Sequence, residues 1–268
     1  MSPYIDTHLH TSFSADSDTA PRLQIERAIA LKMPVLTITD HQDFDGPPDV
    51  MDFTFDTASY FETLLQWKQH FQGRIELRIG VELGLQTEIP TDLSAYASAW
   101  PFDFIIGSTH FCDGMDPYDR KFFEGRTEEE AYRSYLEQEL KNLTAYDCFD
   151  VAGHLDYVVR YGPHKNTFYR YQEYQDLFDS ILKSLIERGK GIECNTAGFK
   201  AGLGHPHPRE EILKRYRELG GEILTLGSDA HTPEYLAYQF DQTGDLLKAC
   251  GFRYYTVFQN RKPEFLPL

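Results

Sequence analysis

The sequence predicts a single α/β barrel, and three observations carry that expectation. Short apolar, β-branched runs alternate with longer amphipathic stretches along the whole chain, the pattern of repeated βα units around a parallel sheet. The length of 268 residues suits an α/β barrel, which folds as one unit at about 250 residues. No low-complexity linker, fixed-period repeat or shift of composition divides the chain, so residues 1–268 are expected to form one domain.

Seven runs read as strands: Tyr4 to Thr7, Val35 to Thr39, Leu77 to Val81, Phe104 to Gly107, Val151 to Ala152, Gly191 to Glu193 and Ile223 to Leu226. Between them the helical patterns cover Pro21 to Lys32, Ser59 to Phe71, Thr127 to Tyr146, Gln172 to Arg188, Pro208 to Leu219 and Pro233 to Ala249. Several open on a first-turn proline or on a Thr or Ser cap. Gly189, Gly220 with Gly221, and Gly251 follow helical patterns where a left-handed stop belongs.

Composition limits the function. A hydrophobic fraction of 41% supports a sizeable core, while no stretch approaches the roughly 18 apolar residues of a membrane helix, so no membrane role is expected. No basic segment and apolar run precede the strand-like Pro3-Tyr4-Ile5, which makes the cytoplasm the expected location. Cys112, Cys148, Cys194 and Cys250 form no CxxC pair and read as buried thiols. A net charge of −16 repels an extended polyanion, which favours a small substrate over nucleic acid. Cations bound in an acidic cavity would reverse that sign locally, so a phosphate ester remains compatible.

The chemistry gathers at the strand ends. His8, His10, His41, Glu82, His110, His154, Asp229 and His231 fall mainly just beyond predicted strands, and an α/β barrel brings all its strand C-termini to one face. His8 with His10, His154 with Asp156, and Asp229 with His231 are spaced two apart, which in extended chain points both side chains one way. Imidazole mixed with carboxylate suits zinc, manganese or iron, and the donors are too many for one tetrahedral ion, so two or three divalent ions are expected. Asp40 and Asp156, beside proposed ligands, are expected to serve the catalytic site as acceptors that orient an imidazole. His70 and His164 read as ordinary surface residues. Asp43, Asp45, Asp113 and Asp116 read as solvated loop carboxylates. No nucleophilic Ser or Cys arrangement is evident, because the histidine of Gly107-Ser108-Thr109-His110 is better used as a ligand.

Asp6-Thr7-His8-Leu9-His10, Thr39-Asp40-His41, Gly80-Val81-Glu82, Gly107-Ser108-Thr109-His110, Gly153-His154-Leu155-Asp156 and Gly227-Ser228-Asp229-Ala230-His231 together resemble the successive motifs of the polymerase and histidinol phosphatase (PHP) family. The resemblance spans residues 4 to 231. It implies a distorted (β/α)7 barrel with a multinuclear metal site, and ligation by His8, His10, Asp16, His41, Glu82, His110, His154, Asp229 and His231. Asp16 enters only through the resemblance, since its polar loop from Ser12 to Thr19 otherwise reads as a turn or helix cap.

Within the family, the segments Gly153 to Tyr161 and Glu193-Cys194-Asn195-Thr196-Ala197-Gly198 are similar to the L-histidinol phosphate phosphatases of histidine biosynthesis. That similarity implies hydrolysis of a small phosphorylated substrate, histidinol phosphate, by a metal-bridging hydroxide. The alternatives are a family phosphodiesterase or nuclease, a phosphatase for another small phosphoester, and a non-catalytic metal-binding domain.

Arg160, six residues past His154 in the loop after a site-forming strand, is the expected clamp for the phosphate, because a guanidinium grips two oxygens at once. Asn195, Lys200, His205 and His207, in the loop after the sixth strand, are further candidates for substrate binding, as is Arg209 for the clamp.

Overall fold

The computed structural model describes residues 4–47 and 50–268; Pro3 lies outside them. Its centre is a seven-stranded sheet in which every pairing is parallel. Strands β1 (Val35–Ile38), β3 (Glu76–Gly84), β4 (Phe104–Ser108), β5 (Val151–Ala152), β6 (Gly191–Asn195) and β7 (Leu224–Gly227) follow one another, and β2 (His41–Gln42) also pairs β3. Val35 to Ile38 and Leu224 to Gly227 are buried throughout, as strands covered on both faces must be.

The expected first strand, Tyr4 to Thr7, is not a regular strand, yet its segment occupies a strand's place. Thr7 donates to the Leu226 carbonyl on one side, and Thr37 donates to the Asp6 carbonyl on the other. Further along, His10 donates to Ala230 and Thr39 to Leu9, and Leu9 forms a parallel bridge with Ala230. Residues 6–10 thus close the ring between β7 and β1.

Helices cover the outside: α1 (Pro21–Ala30), α2 (Thr57–His70), α3 (Leu93–Ala99), α4 (Glu128–Ala145), α5 (Gln175–Glu187), α6 (Ala197–Lys200), α7 (Glu210–Glu218) and α8 (Phe240–Ala249). Asp56 and Asp92 cap α2 and α3, and Thr127 with Glu130 forms a capping box on α4. Gly189, Gly220 and Gly251 take left-handed φ after α5, α7 and α8. The expected helix from Pro233 to Ala249 is broken, with a short turn at Pro233–Tyr235 and left-handed Ala237 and Gln239 before α8. No helix among the described residues is long and apolar enough to cross a membrane.

The alternation of β3 and β4 divides the barrel interior. Along β4, Phe104 and Ile106 belong to a small apolar cluster with Val151 and Phe258, whereas Ser108, two residues on, bonds Glu82. Along β3, Arg78 points to the lower end and Glu82 to the upper. The lower end is plugged by a hairpin absent from the sequence reading, β8 (Tyr254–Gln259) and β9 (Lys262–Pro267), whose Phe258 stacks on Phe104 at 5.0 Å. Asn260 and Arg261, both left-handed, make its two-residue turn. The Arg261 side chain reaches Asp150 Oδ2 at 2.5 Å and the Cys148 carbonyl at 2.8 Å, while its backbone N–H bonds the Asp103 carbonyl.

Arg261→Ala would leave the largely buried Asp150 carboxylate with only the Ile105 N–H. Chemical denaturation should show a loss of about 2 kcal/mol, with metal binding at the opposite end unchanged. A loss under about 0.5 kcal/mol, the range of an ordinary surface change, would mean that the hairpin docks without this latch.

Candidate metal centre

Glu82 stands at the middle of the upper end, fully buried. Its Oε2 lies 3.2 Å from His8 Nε2, 3.6 Å from His10 Nε2 and 3.0 Å from His41 Nδ1. Its Oε1 lies 3.2 Å from His110 Nε2 and 2.9 Å from His154 Nε2. Glu82 sits within β3 rather than past its end, and β2 brings His41 level with it in register. A second group adjoins: Asp229 Oδ1 is 3.3 Å from His10 Nε2, and Asp16 Oδ2 is 2.8 Å from His231 Nε2 and 3.8 Å from His41 Nε2. All nine ligand candidates therefore meet in one cluster.

The proton positions follow from the outer partners. His8 Nδ1 faces Glu193 Oε1 at 2.6 Å and His110 Nδ1 faces Asp43 at 2.9 Å. A carboxylate only accepts, so each Nδ1 carries the proton. The Ser14 hydroxyl donates to Asp40 Oδ1, so its oxygen is left to accept from His10 Nδ1 at 3.0 Å. Three imidazoles thereby turn Nε2 inward. The Nε2 atoms of His8 and His10 are 3.1 Å apart. His41 Nδ1 and Glu82 Oε2, though close, make no hydrogen bond with each other or with any other group. Lone pairs that converge on one place are what a cation requires, and borderline nitrogen with hard oxygen suits zinc, manganese or iron. The residues fit the implied ions.

The electrostatics agree. Burial alone would raise the Glu82 pKa, but His8, His110 and His41 hold it well below the usual carboxylate range. Burial lowers the pKa of His8, yet Glu193 and Glu82 raise it well above the ordinary value, and Asp43 and Glu82 do the same for His110. Protons and metal ions thus compete for the same inward nitrogens.

Asp40 acts at one remove: besides Ser14 it accepts from Thr11 N–H and Oγ1, which folds the loop that carries His10. Asp156 holds His207 Nδ1 and the Arg209 N–H, not an imidazole of the cluster. Arg160 is in the site, with Nη1 3.3 Å from Asp229 Oδ2 and its guanidinium 4.2 Å above the Tyr157 ring. Asn195 Nδ2 bonds Glu193 Oε2 and comes within 3.5 Å of Asp229. Lys200, His205 and His207 are not among the residues lining the cavity. Lys200 sits over Tyr235 at 4.2 Å, and His205 donates to the Pro206 carbonyl. Arg209 bonds Glu211 and the Tyr169 carbonyl. His70 and His164 are exposed, His164 pairing with Glu128.

Three side chains that orient ligand candidates escaped the sequence reading: Ser14, Glu193 and Asp43, which is buried rather than a solvated loop carboxylate. Asp43 repeats the spacing of His8 and His10, two residues after His41, and that signal could have found it. Glu193 carried no such mark; it lies inside β6, and Gly227 on β7 makes room for it, since a Cβ there would meet Glu193 Oε1 at 2.1 Å. Gly84 likewise clears the place of Asp43 Oδ1, 1.6 Å from an added Cβ.

Glu193→Ala should free His8 to rotate and weaken metal binding by roughly 10- to 100-fold, measured by titration of the metal-free protein. Unchanged affinity would show that His8 is positioned by packing alone.

A cavity of about 790 Å³ opens above the cluster, walled by Phe53, Phe111, Tyr118, Tyr157, Arg160 and Tyr161. A histidinol-phosphatase of Lactococcus lactis is 31% identical over 264 residues, covering 96% of this chain and 95% of that relative. The probable histidinol-phosphatase of Thermotoga maritima is 30% identical over 257 residues, 94% of this chain and 95% of its own. The crystal structure of histidinol phosphate phosphatase from Lactococcus lactis, complexed with zinc, L-histidinol and phosphate, matches with a TM-score of 0.90, covering 98% of this chain and 99% of that one. A Listeria monocytogenes chain, 18% identical with a TM-score of 0.75, shares the fold. The PHP domain model matches residues 6–197, over the elements that supply seven of the nine ligand candidates, and the chain belongs to the PHP family.

Proposed function

We propose that the protein is a metal-dependent phosphomonoesterase that hydrolyses L-histidinol phosphate to L-histidinol and phosphate, as one domain over residues 1–268. The observation that carries this reading is the convergence of inward-facing imidazole nitrogens on buried Glu82, beneath a cavity whose wall holds Arg160. The near full-length similarity to a histidinol-phosphatase supports the substrate. Two or three divalent ions are proposed, held by His8, His10, Asp16, His41, Glu82, His110, His154, Asp229 and His231. Zinc heads the list because the Lactococcus lactis structure contains it; manganese and iron suit the same donors. Such ions, when bound, supply an activated water and neutralise phosphate charge.

The chain's own residues do the rest. Glu193, Asp43 and Ser14 fix the rings of His8, His110 and His10, so the donor set is preorganised. Arg160 grips the outward phosphate oxygens, and the Tyr157 and Tyr161 rings, 4.2 and 5.1 Å from the guanidinium carbon, hold it against the wall. The buried floor limits water to what the site admits.

Turnover of L-histidinol phosphate, a dinucleotide and a single DNA strand by metal-loaded protein tests the reading. L-histidinol phosphate should be the best substrate, and preference for either nucleic-acid substrate would overturn it. Arg160→Ala should raise KM and lower kcat/KM by roughly 10- to 100-fold with metal content intact, and Arg160→Lys should recover only part. A change within about twofold, under roughly 0.4 kcal/mol, would place the clamp elsewhere.

A further inference from the structure

Two carboxylates of the cavity, Asp116 and Asp119, are left unused by the metal centre. Asp16, Asp43 and Asp229 line the cavity with oxygens already on His231, His110 and His10. Asp119 caps the turn at Arg120–Phe123 by accepting the Lys121 N–H. Away from the wall, Asp45 bonds Thr91, and Asp113 bonds Arg126 and Ser134. Asp116 differs. Its Oδ1 accepts the Tyr118 N–H at 2.8 Å, while its other oxygen accepts no hydrogen bond and no Lys, Arg or His pairs with it among the described residues. The cations whose fields reach it, His110 and Arg160, are bonded to Asp43 and Asp229. A half-buried carboxylate with a bare oxygen bears a desolvation cost that a bound cation would relieve.

The cavity is therefore polarised. Arg160 and the ligand cluster, once it holds its ions, present positive charge to an anion, Asp116 presents negative charge to a cation, and the aromatic rings of Phe53, Phe111, Tyr118 and Tyr161 stand in the same wall. Tyr118 is 73% exposed and meets Tyr161 edge to face at 5.6 Å, leaving ring surface for a flat apolar group.

We propose that Asp116 binds the protonated amine of the substrate and so selects phosphomonoesters of amino alcohols over neutral alkyl phosphates. The identity of the amine as that of L-histidinol phosphate rests on the proposed function. Because an amide oxygen can still accept the Tyr118 N–H, Asp116→Asn removes the charge and keeps the turn.

The test compares kcat/KM for L-histidinol phosphate with that for its des-amino analogue, 3-(imidazol-4-yl)propyl phosphate, within each metal-loaded variant, so that any loss of active protein cancels. The wild type should favour the amine by roughly 10- to 100-fold, the range of a hydrogen-bonded charge. Asp116→Asn should reduce that ratio to within about threefold of unity, while Asp119→Asn, on the same rim, should preserve it. An unaltered ratio in Asp116→Asn, or a wild type that does not discriminate, would overturn the proposal. Absence of any turnover of L-histidinol phosphate would instead overturn the proposed function. The pair 2-aminoethyl phosphate and ethyl phosphate then reads the same ratio and decides the role of Asp116 by itself.

Discussion

The structure depends on keeping an ionised carboxylate, Glu82, dry at the centre of the barrel. Isolated, such a charge would cost several kcal/mol or more, and only partners of opposite charge make it tolerable. Five imidazoles face it from four separate segments, so the site cannot form until the barrel closes. The closing piece is the irregular segment 6–10, which bonds both β7 and β1 and delivers His8 and His10 to Glu82. Its irregularity follows from that task. Asp6, buried beneath, accepts from the N–H groups of His8, Ser228 and Ala237 and ties the first motif to the last; burial pushes its pKa up to about 6.

A donor set of this kind demands a second layer, and here the second layer dictates residues that look unremarkable in sequence. Glu193 can reach His8 only because position 227 has no Cβ, and Asp43 can reach His110 only because position 84 has none. Asp229 sits at φ 53°, a left-handed backbone held by its own N–H bond to the His8 carbonyl. Motif glycines and a strained aspartate are thus consequences of packing several carboxylates into one barrel mouth.

This explains what was legible in the sequence. Parallel strands buried on both faces announce themselves as β-branched runs, and Val151 to Ala152 was read to the residue. Ligands were legible because barrel strands all point their C-termini at one face. Strand-end position is weak evidence for any single residue, and it becomes strong when it recurs around the ring. The hairpin β8–β9 was missed because its turn is Asn260-Arg261, without the glycine that usually marks a left-handed pair, and because exposed Lys262 to Pro267 shows no clear apolar alternation. Glu193 was missed for another reason: it lies inside a strand, on the inward face, where a sequence gives no sign that the interior is polar. The loop from Asn195 to His207 was marked for substrate binding by composition; its backbone pairs Asn195 with His207, and His207 Nδ1 bonds Asp156.

The acidic balance of the chain also acquires a physical meaning. A net charge of −16 opposes an anionic substrate at long range, yet the cavity floor is where part of that negative charge is concentrated, on Asp16, Asp43, Glu82, Glu193 and Asp229. These carboxylates oppose phosphate only while no cation is bound. Two divalent ions together with Arg160 would balance these five negative charges and three ions would reverse the local sign, whereas the far field stays negative and continues to repel long polyanions. On the proposed function, the cavity would therefore favour small phosphoesters over nucleic acid by distance: a short anion would feel the ions it touches, and a long one would also lie across a chain of net negative charge. Arg160 sits at the boundary between the two regimes, paired with Asp229 and set over the Tyr157 ring, in the wall of the cavity that leads to the floor.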